Sequence, residues 1–164
     1  MTRKQSKHSR RVLYNPVDYA IDGARKLDQI HRDKIRKIIE NAWAGLLNRE
    51  NCGPSWADLA HASNMGEQLS NLGICSDADS KNKTWQAQSI LAMLAEYASD
   101  WQSMVIEDQS QKEMEDAIFI WRIQLDFCSV SEFEKARKAV IQKTEQARKG
   151  NFAGSTKIVT VSGT

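Results

Sequence analysis

A chain of 164 residues has room for one domain with a sizeable core and none for a comfortable second one. Its apolar fraction of 41% and charged fraction of 27% are those of a soluble globular protein, and no stretch approaches the roughly 18 apolar residues that a membrane helix needs. Net charge is only +2, which excludes a uniformly polycationic or polyanionic chain. Yet the charge is unevenly spread: residues 1–49 carry twelve Lys/Arg against five Asp/Glu, residues 50–128 four against thirteen, and residues 129–164 seven against three. Such blocks either attract one another within the fold or build a basic face for an anionic partner from the two ends.

The stretch MTRKQSKHSRR holds Arg3, Lys4, Lys7, Arg10 and Arg11 with almost nothing apolar. Residues 1–14 therefore read as a flexible basic arm, suited to neutralising phosphates. It lacks the apolar segment of a secretory signal, so a cytoplasmic protein is expected. Pro16 suits a first helical turn and biases Asn15 away from helix, giving a short helix over Val17–Leu27. A clearer helix follows. Ile30, Ile35, Ile38, Ile39, Ala42, Trp43, Leu46 and Leu47 recur at three- and four-residue spacings. Arg32, Lys34, Arg36 and Lys37 occupy its other face, where Arg32, Arg36 and Lys37 are candidate phosphate contacts.

Gly53-Pro54 is a turn signal, and Ser55 with Asp58 has the spacing of a capping box for the helix after it. Small residues Ala62, Ser63 and Gly66 lie on its stripe, and Gly73 reads as its stop. A helix-turn-helix with Gly66 in the turn is rejected on charge: no Lys or Arg lies between Glu50 and Ser80, and a reading helix must approach phosphates. ICSDADSKNK reads as the main loop. Its Asp77-x-Asp79 start fails as a calcium loop, because Asn82 and Gln88 stand where Gly and Glu belong. A helix over Thr84–Met104 is then expected, with Glu107–Gln111 linking it to the most apolar run of the chain.

That run, Lys112–Cys128, supports two periods. Met114, Ala117, Ile118, Trp121, Leu125 and Cys128 make a helical stripe, whereas Phe119, Trp121, Ile123, Leu125 and Phe127 alternate as a strand would. Capping spacing at Ser110 and Glu113 and the want of strand partners favour a helix, buried on more than one side and central to the fold. Ser131 and Glu134 give another capping spacing, with Lys135, Arg137, Lys138 and Lys143 outside the last helix, which ends near Gly150. Residues 151–164 form a C-terminal tail, strand-like over Lys157–Val161, able to lie unpaired or to add an edge strand to a partner.

Catalytic constellations are sparse. Cys52, His61 and Cys75 lack the close pairs of a metal site; Cys75 or Cys128 with His61 is a thin case for nucleophilic catalysis, since buried thiols are usually structural. Glu96 and Asp100, one turn apart, read as solvated charges with no ExxH motif beside them. Phosphate-binding glycine loops are absent, and the five tryptophans fall mostly on apolar stripes rather than serving as base-stacking platforms. No metal and no cofactor are expected, and the protein is read as a non-enzyme.

The segments NPVDYAIDGARKL, WADLAHASNMGEQLSNLGI and DFCSVSEFEKARKAV together resemble small helical accessory proteins of bacteriophages and prophages over residues 10–141. That resemblance implies action on host or phage machinery in the bacterial cytoplasm and brings no catalytic residues with it. The expected architecture is an all-α bundle of about five helices over residues 15–150, with 112–128 at its centre. The expected function is binding and regulation or inhibition of DNA, RNA or a nucleoprotein complex through the arm, Arg32, Arg36 and Lys37. The alternative is a protein-only inhibitor of a host factor acting through the acidic middle, with a small helical enzyme third.

Overall fold

Pro16 opens the first helix, α1 (Pro16–Ala24), where its missing N–H costs nothing because the first turn has no intrahelical acceptor for it. The computed structural model describes residues 16–149. The basic arm, with Arg3, Lys4, Lys7, Arg10 and Arg11, and the tail 151–164 lie outside the described residues. Within them the chain forms six α-helices and two short 3-10 turns, with no strand. The all-α bundle is therefore as its periodicities predict.

Helix α1 stops three residues before the expected Leu27. Arg25 and Lys26 instead run extended beside the start of the last helix, with Val130 donating to the Arg25 carbonyl at 2.8 Å. Helix α2 (Gln29–Leu47) is capped by Asp28, which accepts from the His31 N–H at 2.8 Å. It buries Ile39, Ala42, Trp43 and Leu46.

Helix α3 (Cys52–Asn71) starts three residues before the expected Ser55 and takes Gly53 and Pro54 into its first turn. Pro54 is tolerated there for the same reason as Pro16. Ser55 is consequently no cap. It is buried against α2, and a Cβ on Gly45 would lie 2.4 Å from its hydroxyl, so Gly45 sets how closely the two helices cross. Helix α3 also runs unbroken through Gly66, which excludes a helix-turn-helix here on geometry as well as charge. Gly66 is needed for contact: a Cβ would sit 2.6 Å from the Trp121 ring. The expected stop at Gly73 is present, with φ +95 and paired bonds from Gly73 N to Ser70 O and Ile74 N to Leu69 O, the αL ending that glycine favours.

Helix α4 (Ala78–Leu94) corrects the next two expectations together. The segment read as a loop is one only as far as Asp77, and from Ala78 it is the start of this helix, because Asp77 caps it by accepting from the Ser80 N–H at 2.9 Å. Its far end falls ten residues short of Met104, in 3-10 turns at Ala95–Tyr97 and Trp101–Ser103, where Asp100 draws the Gln102 N–H to its side chain and so competes with helical pairing.

Helix α5 (Asp108–Phe127) begins before the expected capping box, leaving Ser110 inside its first turn and Asp108 in place to complement the helix dipole. The helical period is the one realised. Met114, Ala117, Ile118, Trp121 and Leu125 are buried, while Phe119 and Phe127, which only the strand period would bury, are 60% and 64% exposed. The last helix, α6 (Val130–Arg148), is capped not by Ser131 with Glu134 but by the overlapping pair Ser129 and Glu132, each bonding the other's backbone N–H. Ser131 faces Gly23 of α1 instead.

Helix α5 packs on α2, α3 and α4, as a central helix should, but α3 touches α2, α4, α5 and α6 and shares that position. Its small residues, Ala62, Ser63, Gly66 and Ser70, let neighbours approach from several sides. The main core joins α2 through α5 around Leu46, Trp56, Leu59, Leu91, Leu94 and Met114. A smaller one, Met65, Leu69, Cys128, Ala136 and Val140, seats α6. Among the described residues no helix is long and apolar enough to cross a membrane.

Candidate functional site

Arg32 and Arg36 stand one turn apart on α2, on the side that meets α5. Both guanidiniums converge on one oxygen of Asp126 near the end of α5, Arg32 at 3.3 Å, and each side chain is only 20% exposed. Two of the three helix residues expected to contact phosphate are thus already held by a carboxylate. Lys37 is exposed, as is Lys34 beside it, and neither forms an ion pair with any described residue. The carboxy-terminal block meets the acidic middle similarly at Lys143 with Glu67, 3.5 Å, while Arg122 with Glu40, 3.4 Å, joins α5 to α2 with the signs reversed.

The larger unpaired basic surface is on α6. Lys135, Lys138, Gln142, Gln146 and Lys149 follow at spacings of 3, 4, 4 and 3 and all are exposed, so they form one stripe along the helix. Among the described residues Lys135, Lys138 and Lys149 have no acidic partner, whereas Arg137 is taken by Glu134 at 2.8 Å. Sequence reasoning placed Lys135 and Lys138 on the outer face of the last helix without assigning them to the site, and did not single out Lys149. The signal was present, in the seven-to-three excess of cations over residues 129–164.

Between α2 and α6 lies a cavity of about 270 Å³ with α3 and α5 as its floor. Ile35 and Ile39 wall it on one side and Phe133 on the other; Gly66, Trp121 and Gln124 lie beneath; Asp58 and His61 stand at its rim. Partial desolvation at the rim lowers the His61 pKa, opposed in part by the charge of Asp58.

Gln124 is fully buried. Its amide nitrogen faces the Gly66 carbonyl at 3.0 Å, the Ser70 hydroxyl at 2.9 Å and the Ile74 carbonyl at 3.1 Å. Carbonyls only accept, so the NH₂ must point to them and tie down the end of α3. Its Oε1 is left with no partner among the described residues.

The groups weighed for catalysis do not converge. Cys128 is buried and its thiol pushed up to about 11 by desolvation; burial raises the Cys75 pKa too, so neither is a ready thiolate. Glu96 lies in a 3-10 turn and Asp100 in the bend after it, not paired on one helix face. Among the described residues no three of His, Cys, Asp and Glu gather as metal ligands would. No family model, curated protein or solved structure matches this chain.

Proposed function

We propose that this protein is a non-enzymatic accessory protein that binds DNA, RNA or a nucleoprotein complex and so regulates or inhibits it. The observation that carries this reading is the α6 stripe of Lys135, Lys138 and Lys149, exposed and without acidic partners among the described residues. Unpaired lysines on a straight helix face offer point charges to a phosphate backbone without reading base edges. Lys34 and Lys37 on α2 are further exposed cations, and the arm, with five cations in eleven residues, precedes α1, which packs on α6. The resemblance to phage-encoded proteins would set this action in a host bacterial cytoplasm.

Binding to DNA and RNA duplexes and single strands, titrated with salt, tests it. Affinity should fall steeply between low and physiological salt, and the triple variant Lys135→Ala, Lys138→Ala, Lys149→Ala should flatten the log–log slope by about 2 to 3. Deleting residues 1–11 should weaken binding further. Salt-independent binding, or none, hands the function to a protein-only module acting through the acidic middle of the chain.

A further inference from the structure

We infer that the outward face of α5 is a self-association surface, on which a second copy of this chain packs antiparallel about a two-fold axis at Ile123. Phe119, Ile123 and Phe127 follow at four-residue spacing, so they form one stripe along the helix. Phe119 is 60% and Phe127 64% exposed, and Ile123 between them is half-buried. Single exposed apolar residues are ordinary, but two phenylalanines and an isoleucine in line make a contiguous apolar ridge.

The charge at the two ends of the stripe selects the occupant. At the Phe127 end stands Lys26, placed by its backbone pairing with Ser129 and with its Nζ 5.1 Å from the centre of the Phe127 ring. It is exposed and has no acidic partner among the described residues. A turn before Phe119 stand Glu115, exposed and without an ion pair among the described residues, and Asp116, 3.9 Å from Lys83. Lys112, a further turn back, still leaves that end acidic. A two-fold axis at Ile123 sets Phe119 of each copy against Phe127 of the other, which brings each Lys26 to Glu115 and Asp116 of the opposite copy. Parallel packing would instead set Lys26 against Lys26 and acid against acid. A surface with opposite charges at its ends and an apolar centre is self-complementary, as an isologous interface requires. Along its sides Arg122 is paired with Glu40, and Asp126 with Arg32 and Arg36, so no lone charge is desolvated there. The acids also make the stripe unsuited to a phosphate backbone. Three apolar side chains fall short of the roughly 800 Å² per partner of a standard interface, so the dimer is weak, with a Kd on the order of 100 µM.

Sedimentation of the full chain at low salt, from about 10 µM to about 1 mM, tests it. The mass should rise from monomer toward dimer across that range. Phe119→Ser, at an exposed site that the fold tolerates, should raise the Kd at least tenfold with the helical circular dichroism unchanged. Lys26→Glu and Glu115→Lys should each weaken the dimer severalfold, and the two together should restore it, because the swapped charges again face each other. Monomer at every concentration overturns the proposal and leaves the stripe to a different protein surface. A dimer indifferent to Phe119→Ser, or one whose two charge reversals do not rescue each other, overturns it as well, since the copies would then meet elsewhere or in the other orientation.

Discussion

Asp126 shows how one side chain can decide whether a charge is structural or available. Arg32 and Arg36 have the spacing of a solvent-facing basic patch, and within α2 only Asp33, 3.5 Å from Arg36, offers a partner. Their shared partner Asp126 is 90 or more residues away in sequence, so only the crossing of α2 over α5 reveals that they clamp a carboxylate. Each contact is partly solvated, and exposed ion pairs contribute at most about 1 kcal/mol. Asp126→Asn should therefore cost about 1 kcal/mol in urea unfolding while releasing Arg32 and leaving Arg36 only its 3.5 Å contact with Asp33. If those arginines border the nucleic-acid face, the variant binds more tightly at low salt, and its salt slope steepens by up to about 2. Unchanged or weaker binding would show that the arginines brace α2 on α5 and do nothing more.

Among the elements, the ends of helices were harder to read than the helices. Apolar spacing located α2, α3, α5 and α6 because burial of one stripe selects the 3.6-residue period, and the exposure of Phe119 and Phe127 against burial of Trp121 and Leu125 records that selection. Capping was ambiguous wherever two candidates overlapped: Ser129-x-x-Glu132 and Ser131-x-x-Glu134 are equally good locally, and the bond from Val130 to Arg25 on a distant segment favours the first. Asp77 was read as a failed calcium ligand, though an acid three residues before a serine is also a cap. These caps make a pH prediction. Hydrogen bonds from backbone N–H groups and side chains hold Asp28 and Asp77 below their ordinary 3.8, and Glu132 below 4.5. A depressed carboxylate pKa stabilises the fold above the unfolded value, and that contribution disappears as pH falls through the folded one. Unfolding midpoints should accordingly begin a shallow decline below pH 6.5, where His61 is protonated more readily in the unfolded chain, and fall further below 4.5 as the caps are protonated. Asp28→Asn with Asp77→Asn and Glu132→Gln keeps hydrogen-bonding caps and should flatten the decline; a decline as steep as in the parent chain would assign acid lability elsewhere.

For the whole molecule, the charge blocks of the sequence are in part closed on one another and in part left outward. Part of the basic amino-terminal block closes on the acidic middle through Arg32 and Arg36, and Lys143 does likewise from the other end, while Lys135, Lys138 and Lys149 remain outward. The cavity was not legible at all, since its walls come from four helices. The same architecture places the basic stripe on the least embedded long helix. Four helices share the main core, but α6 is seated by the smaller cluster around Leu69, Ala136 and Val140 and, among the described residues, packs chiefly on α3 and α1. Local opening follows buried apolar contact, so native-state hydrogen exchange should find α6 opening at lower free energy than α2–α5. Val140→Ala should lower protection in α6 alone, and a bound polyanion, which gains by holding the stripe straight, should raise it there most. Uniform exchange across all six helices would mean that the two clusters behave as one core, and α6 would then be no more adjustable than the helices beneath it.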